Sequence, residues 1–188
     1  MSYFPAFLNL EDKRVLLVGG GVVAYTKLSH LLDFTSNISI ISLDLSSEIR
    51  ALSKKKNLHV MQRAYSKGDI ANFDIVIVAV DNISLQAEIF EESKRYNCLC
   101  SCVDSTKYTH FIFGSYIKKD DLTIAISTSG SSPALAKQLK KYFLKLIPSD
   151  IGIFLQEMKI LRETLPKGKE RMQMLQRRAE DYMKKWSN

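Results

Sequence analysis

Short apolar runs alternate with amphipathic stretches through the first hundred residues. Val15-Leu-Leu-Val18 has charges before it and glycines after it, which suits a strand buried on both faces of a parallel sheet. An amphipathic segment over about 22–35 follows and stops near Asp33-Phe-Thr-Ser-Asn37. Ile38-Ser-Ile-Ile-Ser42 reads as a second strand, about 46–56 as a second helix and Leu58-His-Val-Met61 as a third strand. Asp74-Ile-Val-Ile-Val-Ala-Val80 is nearly all β-branched and is the strongest strand signal in the chain. A helix over about 83–96 then leads to a strand at 98–103. This alternation predicts a doubly wound α/β sheet, parallel throughout, with right-handed crossovers.

Beyond residue 110 the period changes. Phe111–Ile117 and Leu122–Ser127 flank Lys118-Lys-Asp-Asp121 and predict a hairpin. Ser132-Pro-Ala-Leu opens a helix, with serine at the cap and Pro133 at the first helical position. Leu135, Leu139, Phe143 and Leu146 form its expected apolar stripe, with lysines on the other faces. Two further helices are expected at about 150–165 and 168–186, parted by Pro166-Lys-Gly168.

The chain has 188 residues and a formal charge of +7, with composition in the globular range. The charge is unevenly placed. Residues 1–110 carry 12 basic and 12 acidic side chains, so the whole excess lies in residues 111–188. A neutral module is thus joined to a cationic one, which either attracts an anionic partner or is a solvated basic surface. No apolar run approaches the ~20 residues of a membrane span, and the N-terminus lacks the pattern of a signal peptide, so a cytoplasmic chain is expected. Cys98, Cys100 and Cys102 alternate on the fifth strand at a spacing of ~6.8 Å. That is too wide to set three thiolates on one zinc or to form flat disulfides, so small buried thiols are expected and no metal site.

Candidate chemistry sits at strand ends. Gly19-Gly-Gly21-Val-Val-Ala24 fits G-x-G-x-x-A between a strand and a helix. Gly19 would permit the turn, Gly21 would let a pyrophosphate reach backbone N–H groups, and Ala24 would keep helix close to sheet. Asp44, 23 residues past Gly21, either meets a ribose 2′-OH, favouring NAD over NADP, or caps the next helix. Asp81 reads as the cap of helix 83–96. Asp104 follows the fifth strand, where a carboxylate could serve as general base or simply form a turn. His110 is the other nearby base, and a surface role fits it better. Ser127-Thr-Ser-Gly-Ser-Ser132 runs into a helix N-terminus followed by lysines, a setting for a carboxylate or phosphate. Capping by Ser131 or Ser132 is the alternative, and it would use a single serine.

Gly19–Ala24, Val103-Asp104 and especially Ile124-Ala-Ile-Ser-Thr-Ser-Gly-Ser-Ser-Pro-Ala-Leu-Ala-Lys137 resemble the precorrin-2 dehydrogenase/sirohydrochlorin ferrochelatase family, found also as the N-terminal module of siroheme synthases. The resemblance covers nearly the whole chain. It implies a Rossmann-like NAD-binding domain at 1–110, a small α+β dimerisation and substrate region at 111–147, and a C-terminal helical domain at 148–188. It also implies NAD-dependent oxidation of precorrin-2 to sirohydrochlorin, often followed by Fe²⁺ insertion with the iron as substrate. A homodimer exchanging its 111–146 region is implied as well. Val22, Val23, Leu43 and Asp44 match positions that hold NAD, and Asp104 matches the aspartate serving both reactions. Ser127, Thr128, Ser129, Gly130, Ser131 and Ser132, with Lys137 beyond, match the segment facing the tetrapyrrole polycarboxylate. The chain departs from the family at Tyr25-Thr26-Lys27, Ser101-Cys102, His110 and Gly114, none of which has an assigned chemical role.

With no length left for a methyltransferase domain, a separate uroporphyrinogen-III methyltransferase is expected upstream. None of the tyrosines has a lysine four residues on, so a short-chain dehydrogenase dyad is absent. A NAD-sensing module without catalysis would have no use for the serine-rich loop, and a dehydrogenase lacking the chelatase step is the nearer alternative. Nucleic-acid binding would need aromatic residues interleaved with the basic ones, whereas Tyr142 and Phe143 look like core.

Overall fold

The computed structural model describes residues 3–103 and 105–187, and Asp104 lies outside them. The chain divides into two compact units, Tyr3–Ile112 and Phe113–Asn188.

Five parallel strands make the first unit: β1 (Val15–Val18), β2 (Ile38–Ile41), β3 (His59–Met61), β4 (Ile75–Val78) and β5 (Leu99–Cys102), in the order β3-β2-β1-β4-β5. Every residue of β1 and β4 is buried, as expected for central strands covered on both faces. Helices α1 (Val22–Leu31), α2 (Ser47–Lys56) and α3 (Ile83–Arg95) connect them. α1 ends at Leu31, short of the expected residue 35, because the following N–H groups of Asp33 and Phe34 turn to the carbonyls three residues back. The β3–β4 crossover, residues 62–74, contains no helix. Turns carry it, anchored by the fully buried Ile70.

Chain order reverses around β1, which pairs with β2 on one side and β4 on the other. Val18 is level with both Ile41 and Val78, so the carboxyl ends of three strands open at one height. Open α/β sheets bind ligands at such a switch point. The outer edge of β5 is covered by a bridge between Ser101 and Thr109, and the His110 N–H donates to the Cys100 carbonyl at 2.8 Å.

The three cysteines are buried and free. Flat strand spacing overstates their separation: the side chains of Cys100 and Cys102 lean together, placing their sulfurs 3.8 Å apart. Burial pushes the Cys98 thiol up to about 12, and the contact with Cys102, then burial, push the Cys100 thiol upward, so neither is a ready nucleophile.

In the second unit, β6 (Ser115–Lys119) and β7 (Leu122–Ile126) form an antiparallel hairpin turned by Asp120, at φ 51°, and Asp121. The first strand starts later than expected because Ser115 pairs with Ile126, the last residue of β7, leaving 111–114 without a partner strand. Helices α4 (Pro133–Leu146), α5 (Ile151–Thr164) and α6 (Lys169–Met183) follow. Their core is Ile117, Ile147, Ile151 and Tyr182, with Phe143, Phe154 and Trp186 packed against it. The Phe154 and Tyr182 rings stack at 4.0 Å, and the Tyr182 hydroxyl donates to Asp150 at 2.8 Å. Leu135 does not belong to the buried stripe: α4 turns Ala136 inward, half-buries Leu139 and Phe143, and leaves Leu135 exposed. Tyr142, expected in the core beside Phe143, is exposed as well, because it lies off the face that meets the hairpin core. No helix among the described residues is long and apolar enough to cross a membrane.

Candidate functional site

The three glycines after β1 divide the work of the turn. Gly19 takes φ +128°, and a Cβ there would overlap the Ala79 carbonyl oxygen. A Cβ on Gly20 would overlap the Asp44 carbonyl oxygen and crowd Ser42 Oγ. The loop after β2 is therefore held directly against the glycine turn, by the Gly20 carbonyl accepting from Ser46 N–H at 2.8 Å and by Ser42 Oγ donating to the Asp44 carbonyl at 2.7 Å. Gly21 faces open space and is the N-cap of α1 with no side chain capping it. The first-turn N–H groups of α1 are thus left for a ligand at the positive end of the helix. Ala24 is fully buried where helix meets sheet.

A crevice of about 760 Å³ lies over these strand ends. Gly19, Gly21, Val22, Val23, Leu43 and Asp44 all line it. Val22 is 78% exposed and Leu43 is 65% exposed, unusual values for aliphatic side chains around a polar backbone turn. They suit an occupant with flat, apolar rings joined by an anionic linker.

The capping alternative for Asp44 falls here, and so does the expectation that Asp81 caps helix 83–96. Asp44 does not cap α2, since Ser46 does, its hydroxyl accepting from Ile49 N–H at 3.3 Å. Asp81 does not cap α3 either: Asn82 accepts from Leu85 N–H at 3.0 Å, and Asp81 borders the crevice instead. Capping needs the side chain one residue before the first helical position, and each helix begins later than those assignments required.

Sequence reasoning missed the wall supplied by the β3–β4 crossover. Arg63, Ala64 and Tyr65 line the crevice there. The Arg63 guanidinium is forked onto Asp69 at 2.7 and 2.8 Å, which holds that carboxyl below its usual range. The Tyr65 hydroxyl donates at 2.7 Å to Glu92, a carboxylate only 3% exposed, which also accepts from Gly68 N–H. Burial, then this bond, push the Tyr65 phenol well above its usual value. The available signal was Arg63, Asp69 and Glu92 as charges flanking an apolar segment, but nothing local pairs residues 27 apart.

His110 carries no base at Nδ1, because that nitrogen accepts from Cys100 N–H at 3.0 Å while the ring packs on Phe90 at 4.8 Å. Desolvation, then the Lys94 charge, lower its pKa and keep it neutral. Val103 lines the crevice, and Asp104, next in the chain, lies outside the described residues.

The serine-rich loop belongs to the second unit. Three of its hydroxyls are engaged locally, where capping alone would engage one. Ser127 accepts from Ser129 N–H at 3.1 Å, Thr128 from Ser132 N–H at 3.1 Å, and Ser132 from Leu135 N–H at 3.2 Å. Ser129 and Gly130 take positive φ, and Ser129, Gly130, Ser131 and Lys137 are exposed. No group of three His, Cys, Asp or Glu side chains among the described residues is arranged to hold a metal ion.

A family model described as "Putative NAD(P)-binding" matches residues 6–115, and one described as "Sirohaem biosynthesis protein central" matches residues 119–142. The chain is 35% identical to siroheme synthase 1 of Serratia proteamaculans over 152 residues, which is 81% of this chain and 32% of that protein. It is 33% identical, over the same shares, to the siroheme synthases of Pseudoalteromonas translucida and Neisseria meningitidis serogroup C. It thus spans about a third of the length of these curated relatives. A solved structure of SirC, precorrin-2 dehydrogenase, shares the fold with a TM-score of 0.77, at 22% identity, over 93% of this chain and 88% of that one.

Proposed function

The chain belongs to the NAD(P)-binding family whose model spans residues 6–115, and from that premise we propose that it oxidises precorrin-2 to sirohydrochlorin with NAD. The observation carrying this reading is the crevice of about 760 Å³ whose floor is bare glycine backbone at an uncapped helix N-terminus, in a chain that also carries the sirohaem central segment.

NAD, when bound, supplies the hydride acceptor. Gly21 and the first-turn N–H groups of α1 hold the pyrophosphate, and Asp44 accepts from the adenosine ribose hydroxyls and repels a 2′-phosphate. Val22, Val23 and Leu43 cover the nucleotide and exclude water. Asp104 takes the proton that leaves the macrocycle as its hydride departs. The exposed Ser127–Ser132 loop and Lys137 receive substrate carboxylates, in keeping with the positive excess of residues 111–188. Fe²⁺ enters the product as a substrate held mainly by the macrocycle, with Asp104 accepting the pyrrole protons.

A homodimer exchanging residues 111–146 would cover Leu135, Tyr142 and Leu144, which are exposed on α4. A uroporphyrinogen-III methyltransferase supplies the precorrin-2, and all of this takes place in the cytoplasm. The test is anaerobic addition of precorrin-2 and NAD to the protein. NADH and the sirohydrochlorin spectrum should rise together, and Fe²⁺ added to the same cuvette should then convert the spectrum to that of siroheme. Absence of NADH formation overturns the dehydrogenase assignment, while absence of the second change removes only the chelatase step.

A further inference from the structure

The crossover that follows β3 is irregular yet held by more side-chain bonds than its length requires. Arg63 N–H turns back to the Met61 carbonyl at 3.0 Å, so the chain bends immediately after the strand. Its guanidinium then donates from Nη1 to Asp69 Oδ2 and the Ala64 carbonyl, and from Nη2 to Asp69 Oδ1 and Met61 Sδ. Four of the five N–H donors of an arginine lie on those two nitrogens. The two terminal nitrogens of this guanidinium are therefore engaged and its charge is balanced by Asp69, while its side chain remains 44% exposed in the crevice wall. What it still offers a ligand is a flat face and the single N–H at Nε.

The register decides which part of a dinucleotide reaches that face. Ile41 pairs with Met61 as the last residues of β2 and β3, and the loops that leave them carry Leu43 and Arg63, which both line that end of the crevice. Gln62 Nε2 bonds the Leu43 carbonyl at 3.4 Å and keeps the two loops together. Asp44, at the same end, is the acid placed for the adenosine ribose. The base attached to that ribose is the ring that would come to lie by Leu43 and Arg63.

Resting on the NAD reading above, we infer that Arg63 is the adenine platform of this site, and that Asp69 makes it one by occupying the donors that would otherwise bind a 2′-phosphate. Planar guanidinium stacks on aromatic rings, and a free arginine fork near the ribose is how related sites accept NADP. Engaging the fork keeps the stacking and removes the phosphate receptor, so Arg63 and Asp44 select NAD by separate means.

The test is titration of the full chain with NADH, NADPH, ADP-ribose and nicotinamide mononucleotide, using NADH fluorescence and competition. Arg63→Ala should weaken NADH and ADP-ribose about tenfold and leave nicotinamide mononucleotide unchanged. Arg63→Lys, which restores charge without a plane, should not recover the loss. Asp69→Asn should lower the NADH-to-NADPH preference several-fold, on the order of one charge-assisted bond gained by NADPH. A purely structural Arg63–Asp69 pair would weaken all ligands together and shift no preference, and that result overturns the inference, as does wild-type ADP-ribose binding by Arg63→Ala. If the wild-type chain binds neither NADH nor ADP-ribose, the cofactor assignment itself falls and takes this inference with it.

Discussion

The two units are built to different degrees of self-sufficiency. Tyr3–Ile112 is electrically neutral and buries whole strands, and the described residues that line its crevice all belong to it. Phe113–Asn188 holds the positive excess, and among the described residues its buried apolar side chains are Ile117, Ala136, Ile147, Ile151 and Tyr182, none of them completely enclosed. It leaves Leu135, Tyr142, Leu144, Ile153 and Ile160 exposed. A parallel sheet must be covered on both faces before it is stable, so its binding crevice comes preformed. A hairpin with three helices can fold around a small core and leave the remaining surface for other molecules.

The sharpest test of this division replaces the acid that follows the first unit's last strand. Asp104→Ala should slow precorrin-2 oxidation by about 10²- to 10⁴-fold while the NADH dissociation constant stays within about twofold of wild type. Steady-state turnover and a fluorescence titration on one preparation decide it, and wild-type turnover would remove Asp104 from the mechanism.

Within the first unit the glycines separate fold from binding. Gly20→Ala forces backbone against the Asp44 carbonyl and should cost about 2–4 kcal/mol of stability, seen as a lower Tm. Gly21→Ala meets nothing in the protein and should melt as wild type, yet weaken NADH at least about tenfold, since one lost charge-assisted bond is worth ~1.5–3 kcal/mol. Equal Tm losses for both would contradict the open position of Gly21.

In the cationic unit the effects should be smaller and dependent on salt. Lys141 is exposed one helical turn beyond Lys137 on α4. Lys137→Gln combined with Lys141→Gln should raise the KM for the tetrapyrrole roughly three- to tenfold at low ionic strength and much less at 0.5 M salt, where charges are screened within about 4 Å. The KM for NAD should not change. A salt-independent rise would assign these lysines to packing.

The smallest effect concerns pH. Arg63 first, and then the Ser66 N–H, hold Asp69 below its ordinary value of about 3.9. A lowered native pKa contributes stability that is present above about pH 4 and is lost as pH falls through the native value. Denaturant midpoints should therefore decline slightly from pH 7 to pH 5, where the unfolded chain protonates the imidazole that the native state keeps neutral at His110, and fall further below pH 4, with Asp69→Asn losing part of that second fall. The Arg14 N–H and Lys13 depress Asp74 in the same direction, so the variant removes only a share.

Much of the first unit was legible because its signals are local. β1, β2, β4 and β5 are apolar runs whose length and flanking residues need no partner to be recognised, and the glycine motif occupies consecutive positions after a strand. Gly20 was overlooked because its constraint comes from the Asp44 carbonyl, 24 residues away. The stripe on α4 was misread at Leu135 because several periodic faces fit one helix, and only packing against the hairpin chose the face bearing Ala136 and Phe143.

By itself the amino-acid sequence determined the order of strands and helices, the glycine turn that opens the site and the charge division of the chain. All of these follow from neighbours within a few residues. The tertiary structure alone decided that Asp44 and Asp81 border a crevice rather than cap helices, that His110 is spent on a strand edge, and that Arg63 places its fork on Asp69. Each of those outcomes depends on a hydrogen bond or a close approach between distant segments, and the parallel sheet brings such segments together only after every strand has found its place.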